Sequence, residues 1–488
     1  MIPRLSARAT LPAGMALSYR PEDHGTGIVH LGLGAFHKAH QAAYTDTALA
    51  ASGGDWRILG VSLRSADAAA QLGPQDGRYT LIERGAAGSS ARVIGAIAGA
   101  VCAASGPEPV LTAMADPACR IVSLTVTEKA YGLDRATTGC NPDHPAVAAD
   151  LANPDRPQGV LGLIVRALAL RLAAGTPPFA VLSCDNLPDN GHLLRGAAID
   201  FARRIDPTLA DHIMRDVAFP STMVDRITPA ATEATRAEAA RLTGYDDRAA
   251  IETEAFHQWV IEDHFPLGRP DWHLAGALFV SDVAPYEAMK LRMLNGSHSM
   301  LAYTGFHAGL PLVRDVMAHP ALRVLVERHM NAAAATLPPL PGIDLAVYGA
   351  QLRDRFANPS LAHETFQIAM DGTEKLPQRI FAPALDALER GGDLRPFAFA
   401  TAAWMRHASG VSHDCPHYAL RDPRAAEIGA ALEEASTPEA IVAALSALPV
   451  FMPQELATLP GWQTGLAEIL AGMLRDGMAA AIAAEAGV

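Results

Sequence analysis

The stretch YEAMKLRMLNGSHSMLAY, residues 286–303, carries Lys290, Asn295 and His298 at spacings of five and three. On an α-helix, at ~100° per residue, the three fall within about 140° of the surface and can face one cleft. Their neighbours Met293, Leu294 and Leu301 are apolar, so polar groups on this side of the helix are costly unless paired or used. Two readings follow. In one, the lysine stretches its stem over apolar surface and the Asn/His pair satisfies local backbone. In the other, an amine that can lose a proton stands beside an amide and an imidazole, a set suited to moving a proton at an alcohol or carbonyl.

A second chemical feature stands near the start. HLGLGAFHKAH, residues 30–40, follows the apolar run GIVHL and leads into a helical pattern. That is the strand–turn–helix setting a dinucleotide-binding turn requires, although a histidine stands where the third glycine of the usual fingerprint would be. Gly32 allows the tight turn, Gly34 lets backbone approach a pyrophosphate, and the residues Ala35 and Phe36 open a helix whose free N–H groups favour phosphate. The next strand ends Ser62-Leu63-Arg64, with Asp67 shortly after. Asp67 can accept from ribose hydroxyls, and Arg64 can meet a 2′-phosphate. The preference is NAD, with NADP not excluded. Two further strand ends carry polar groups: Thr127, Glu128 and Lys129 in SLTVTEK, and Asp185 and Asn186 in VLSCDN. Ligands of open α/β sheets bind at such carboxyl ends, which places Asn186 near the nicotinamide end and Glu128 among the cofactor-binding candidates.

The elements that must hold these groups are legible from periodicity. GIVHLGLG (27–34), WRILGVSL (56–63), CRIVSLTVT (119–127) and FAVLSCDN (179–186) read as buried strands, separated by helical stretches such as AHQAAYTDTALAAS and GVLGLIVRALALRLAAG. Such alternation predicts an α/β fold, a Rossmann-type parallel sheet covered on both faces. Past Asp282-Val-Ala-Pro285 strand-like runs give way to helical periodicity, and TLPPLPG (336–342) reads as an inter-helix loop. The expected organisation is a Rossmann-like NAD-binding domain over 1–284 and a mostly α-helical substrate and catalytic domain over 285–488. The alanine-rich tail, AEILAGMLRDGMAAAIAAEAGV, reads as one terminal helix.

Composition narrows the function. The 488 residues carry 39 Lys+Arg against 52 Asp+Glu, a formal charge of −13, which argues against nucleic acid or an anionic membrane as partner. No apolar stretch reaches spanning length and the N-terminus lacks a signal-peptide core. The five cysteines, Cys102, Cys119, Cys140, Cys184 and Cys415, show no paired spacing, as expected of free thiols in a reducing cytoplasm. His413, Cys415 and His417 could converge on a metal, but Pro416 and polar neighbours mark a loop and no second ligand cluster follows, so no metal is expected. The expected partner is a small molecule, and the expected assembly a monomer or small homo-oligomer.

Taken in order, HLGLGAFHKAH, SLTVTEKAYG, SCDN, TMVDRITPAAT, WVIEDHFPLGRPDW and MKLRMLNGSHS resemble the polyol-specific long-chain dehydrogenases, the mannitol dehydrogenase family, from about residue 25 to residue 405. The family includes mannitol 2-dehydrogenases and fructuronate reductases (D-mannonate oxidoreductases) and is zinc-independent. The resemblance implies an NAD-dependent oxidoreductase in which Lys290 is the general acid/base. Asn186 and Asn295 would hold the substrate oxygen, His298 would orient a substrate hydroxyl, and Asp225 would be an active-site aspartate. Glu128 and Glu287 would link the lysine to solvent. DGTEKLPQR (371–379), GRPDW and FANPSL are similar to fructuronate reductases, and Gln367 stands where mannitol dehydrogenases carry arginine. Against this, His257 replaces an arginine of the fructuronate reductases, leaving Arg379 or Lys375 to meet a carboxylate. The favoured substrate pair is D-fructuronate/D-mannonate; the alternative is D-mannitol/D-fructose or a related polyol such as arabinitol.

Overall fold

A computed structural model describes residues 2–85, 88–359, 363–410 and 418–487. The segment carrying His413, Cys415 and His417 lies outside the described residues. The chain divides into two compact units, Met1–Ala284 and Pro285–Val488.

The first unit is organised by a five-stranded, wholly parallel sheet. In spatial order its strands are Ile97–Cys102, Arg57–Ser62, Thr26–Leu31, Ile121–Leu124 and Ala180–Ser183. The chain-first strand is central, so the order reverses at its carboxyl end, where α/β sheets bind ligands. Both faces are covered, which is why the strands read as mainly apolar runs. Val29, Leu31, Val122, Leu124 and Val181 point into one core, beneath the helix Val160–Ala173. Ile28, Ile58, Ile121 and Leu182 point into the other, beneath Gln41–Ser52. Each such side chain, fully buried, contributes about 1.5–3 kcal/mol. His30, between Val29 and Leu31, is fully buried on the second face.

Two three-stranded sheets extend this unit. One pairs Ile251–Glu254, Tyr79–Gly85 and Gly88–Ile94; the other pairs Thr222–Asp225, Gln258–Glu262 and Leu278–Val280. The buried strands are also shorter than the apolar runs that announce them: CRIVSLTVT forms a strand only over Ile121–Leu124, because the residues after Leu124 turn away to meet the loops described below.

The second unit is helical throughout. Gly296–His307 is its central helix, buried on almost every side, and packs against Pro320–Ala335 and Arg395–Ala408. Two expectations are corrected here. The tail is not one helix but two, Pro460–Arg475 and Met478–Ala486. Gly477 stands between them at φ +84°, a conformation that ends a helix and that glycine adopts without a Cβ penalty. The Lys290 segment is not α-helical: Lys290–Asn295 is a π-helix, with the Gly296 N–H donating to the Leu291 carbonyl. Among the described residues the four cysteines 102, 119, 140 and 184 are free, no cluster of three metal-ligating side chains occurs, and no helix is long and apolar enough to cross a membrane.

Candidate active site

In the first unit the glycine turn, Asp67, Glu128 and Asn186 follow the carboxyl ends of strands of the parallel sheet, while Asp225 ends a strand of another sheet. The glycine turn leaves the central strand and is pinned from its neighbours: the N–H groups of Gly32 and Leu33 both donate to the Val61 carbonyl, at 2.8 and 3.0 Å. Gly32 sits at φ +99°, and a Cβ there would stand 2.1 Å from the Thr125 carbonyl oxygen. Only glycine fits. Gly34 differs. It caps the short helix Ala35–Ala39 at φ −118°, and a Cβ there would meet nothing nearer than the Gly32 carbonyl oxygen at 3.8 Å. One glycine is demanded by the fold, and the other leaves open space at the turn. That space is what a pyrophosphate approaching the backbone needs, so the residues present fit a dinucleotide. Phe36 stacks on His40 with ring centroids 5.0 Å apart. Asp67 begins the helix Asp67–Leu72, exposed, and accepts from the Ser65 hydroxyl at 2.9 Å. Arg64 is exposed in the same loop. Glu128 opens the helix Glu128–Tyr131 and pairs with Arg135 at 2.6 Å.

Asn186 is exposed just past the strand Ala180–Ser183, and its position depends on two residues whose importance the sequence did not disclose. Asp185 accepts the N–H groups of Val126 (2.9 Å) and Thr127 (3.0 Å) and the Tyr131 hydroxyl (2.6 Å). It thereby ties two strand ends together. Thr127 is held at φ +71°, a costly conformation for a β-branched residue. Burial raises the Asp185 pKa, opposed by those hydrogen bonds. Asn190 accepts from the Thr222 N–H at 3.0 Å and donates to the Thr222 carbonyl at 2.9 Å, fixing the strand whose last residue, Asp225, is buried. The only signal was a polar pair, five apart, where an apolar strand ends.

In the second unit the π-helix changes the geometry inferred from an α-helix. An i→i+5 turn is wider than an i→i+4 turn, so Lys290 and Asn295 lie nearly above one another instead of 140° apart. Lys290 is buried, Asn295 half-buried, and Glu287 half-buried one turn earlier. His298 is buried. Its ring stacks on Phe356 (4.3 Å between centroids) and meets the edge of His363 (5.4 Å). Burial holds its pKa well below the usual histidine value, reinforced by the positive surroundings of His363, Arg355 and Arg379. His298 is therefore neutral at physiological pH.

Arg379 lies on a second π-helix, Pro377–Phe381, which approaches the first at Gly296, where a Cβ would stand 2.8 Å from the Arg379 carbonyl oxygen. The half-buried Arg379 guanidinium donates to the Ser299 hydroxyl at 3.3 Å, and among the described residues it has no carboxylate partner. Lys375 is differently placed: its ammonium donates to the Met370 carbonyl at 2.5 Å and lies 3.6 Å from Asp371, so it closes its own turn.

A parallel sheet with a glycine turn at its switch point, and a helical unit carrying lysine, asparagine and histidine on one helix, agree with what comparison with known proteins finds. Residues 26–274 match the mannitol dehydrogenase Rossmann domain, and residues 282–462 match the mannitol dehydrogenase C-terminal domain. The chain belongs to the mannitol dehydrogenase family. It is thus an oxidoreductase. Among family members, D-mannonate oxidoreductase of Escherichia coli K12 is 46% identical over 82% of this chain and 83% of its own length. A Pseudomonas fluorescens mannitol 2-dehydrogenase, solved as a ternary complex with NAD and D-mannitol, is 35% identical with a TM-score of 0.81 over 98% of both chains. A D-sorbitol dehydrogenase, solved in substrate-free form, is 34% identical with a TM-score of 0.91 over 99% of this chain and 100% of the other.

Proposed function

We propose that this member of the mannitol dehydrogenase family is an NAD-dependent, metal-independent secondary-alcohol dehydrogenase acting on a sugar acid, interconverting D-fructuronate and D-mannonate. One observation carries the choice of a carboxylated substrate: Arg379, half-buried beside His298 and Ser299, has no carboxylate partner among the described residues. A guanidinium removed from water without a counter-ion is costly, and a substrate carboxylate would supply the missing partner in the bidentate form arginine favours. The relation to D-mannonate oxidoreductase supports the same reading.

NAD, when bound at the glycine turn, accepts or returns the hydride. The chain supplies the rest. Lys290, buried in its helix, takes the alcohol proton in oxidation and returns it in reduction as the general base and acid. Asn186 and Asn295 are the amide donors to the substrate oxygen; amides can stabilise a developing alkoxide without themselves carrying charge. His298, neutral, orients a substrate hydroxyl. Asp225 and Glu287 complete the catalytic set, with Glu287 on the proton path, and Asp67 and Glu128 line the cofactor side.

A neutral polyol substrate is the second reading, favoured by the relative solved with D-mannitol and by His257 in place of arginine. A panel of mannonate, fructuronate, mannitol, fructose and arabinitol with NAD(H) and NADP(H) tests both. The highest kcat/KM is expected for the sugar acids with NAD. A higher kcat/KM for mannitol or fructose establishes the second reading, and a preference for NADP reassigns the cofactor pocket to Arg64.

A further inference from the structure

Beside the glycine turn lies a polar chain, buried apart from the half-buried Thr125, that the reaction does not use. His30 Nδ1 is 2.8 Å from the Ser123 hydroxyl, and His30 Nε2 is 2.8 Å from the Thr125 hydroxyl. Thr125 in turn donates to the Gly32 carbonyl at 2.8 Å. At the other end, the Ser123 hydroxyl is 2.7 Å from the Gln41 side-chain amide. His30, Ser123 and Gln41 are wholly buried, and His37 stacks on His30 with centroids 3.4 Å apart.

Counting protons fixes the direction of this chain. Each hydroxyl has one proton, and a neutral imidazole has one N–H. If Ser123 donates to the Gln41 carbonyl, His30 must donate from Nδ1 and accept at Nε2. Thr125 must then give its proton to His30, so its oxygen faces the Gly32 carbonyl at 2.8 Å with no proton between them. The buried Gln41 NH₂ and His37 ring nitrogens are also left without partners. Reversing the Gln41 amide removes the conflicts along the chain and gives the Gln41 NH₂ a partner. Its NH₂ donates to Ser123, Ser123 donates to His30 Nδ1, His30 Nε2–H donates to Thr125, and Thr125 donates to Gly32. The Gln41 carbonyl then turns toward His37, with which Gln41 interacts. A charged His30 would also satisfy the count, but burial pushes its pKa down to about 3.

We propose that Gln41, Ser123, His30 and Thr125 form a one-directional hydrogen-bond relay that sets the orientation of the Gly32–Leu33 peptide, making Thr125 and His30 positioning residues for the dinucleotide turn. The other end of that peptide, the Leu33 N–H, is fixed by the Val61 carbonyl at 3.0 Å. The plane is held at both ends, and the chain leaves it for Gly34 in one direction. The role in dinucleotide binding rests on the reading that this turn holds NAD.

The test uses the full-length protein. Thr125→Val keeps the shape and removes the hydroxyl; Thr125→Ser keeps the hydroxyl. In a fluorescence titration Thr125→Val is expected to weaken NADH binding about ten-fold, the scale of one hydrogen bond, with kcat at saturating NAD changed far less. Thr125→Ser is expected to restore most of the affinity. If folded Thr125→Val binds NADH as wild type does, or Thr125→Ser is no better than Thr125→Val, the positioning role is refuted. If wild type binds no dinucleotide, the cofactor reading fails, and ¹⁵N-histidine NMR still decides the relay. His30, assigned through His30→Gln, is expected as the neutral Nε2–H tautomer; the Nδ1–H tautomer or an imidazolium overturns it.

Discussion

Arg379 gives the sharpest test of the substrate. Replacing it with alanine removes a guanidinium whose hydrogen bond within the protein, among the described residues, is to Ser299. If the guanidinium is held for a substrate carboxylate, the substitution deletes a charge-assisted interaction of about 1.5–3 kcal/mol. At ~1.4 kcal/mol per decade that is a fall of roughly ten- to 150-fold in kcat/KM for mannonate and fructuronate. A neutral polyol loses no such bond, so its kcat/KM should move by less than about three-fold, the scale of a single weak neutral contact. Arg379→Lys should fall between, because an ammonium restores charge but not the two-pronged geometry.

Stability provides the control. An arginine that serves the fold costs thermal stability when removed. One buried against its own desolvation, with no ion-pair partner among the described residues, should not. The melting temperature of Arg379→Ala is therefore expected to equal or exceed that of wild type. The measurements are steady-state kinetics with an acid and an alditol on the same preparation, and a thermal melt of each variant. Equal losses on both substrates, or a large loss of stability with unchanged discrimination, would show that Arg379 is structural.

Lys290→Ala should cut kcat by roughly 10²–10⁴ with NADH affinity unchanged, and should abolish the pH step in the oxidation rate; near-normal kcat with the same pH profile would move the base to Asp225 or His298. Gly34→Val should lose NADH binding while the melting temperature holds, because a Cβ there meets open space, whereas Gly32→Ala should destabilise the protein through its 2.1 Å approach to the Thr125 carbonyl. Intact NADH binding by Gly34→Val would overturn the cofactor site. Stability should fall as pH drops below about 6.5: burial depresses the pKa of His30 and His40 to about 3 and of His329 and His407 to about 4, so the unfolded chain takes up protons first. Their stabilising contribution is complete above the unfolded value of ~6.5 and is lost at about 1.4 kcal/mol per pH unit for each histidine on approaching the folded values. Urea melts at pH 7, 6 and 5 with the same midpoint would refute this.

What could be read from the sequence follows a physical division. The parallel sheet was legible because strands buried on both faces are dominated by apolar residues, and GIVHL, RILGVS, RIVSL and AVLS are. The glycine turn was legible because it joins a strand to a helix. The strands Tyr79–Gly85 and Gly88–Ile94 were not, since residues 83–85 and 88–92 lie half-buried or exposed and carry little apolar signal. The anchoring roles of Asp185 and Asn190 are not legible because side chains that hold loops by bonding backbone N–H groups look, in one dimension, like ordinary turn residues.

The two π-helices were the furthest from sequence reach, and they matter most for the site. Little in KLRMLN or PQRIF departs from α-helical composition: Lys, Leu, Arg, Met and Gln are good helix formers, and only Pro377 is strongly disfavoured. The wider turn is a property of packing. At Gly296 the second π-helix comes so close that a Cβ would stand 2.8 Å from the Arg379 carbonyl oxygen and 3.0 Å from His329 Nε2. Only a residue without a side chain lets these backbones approach. The extra residue in each turn has a consequence for chemistry: it rotates Lys290 over Asn295 and places Arg379 beside Ser299, next to His298. An α-helix of the same sequence would set the lysine and the amide about 140° apart around the axis. Inserted turns of this kind are less favourable than the α-helix they interrupt and concentrate at functional sites. Here the interruption falls on the residues proposed to move the proton and to bind the carboxylate, which ties the cost of the local geometry to the function it serves.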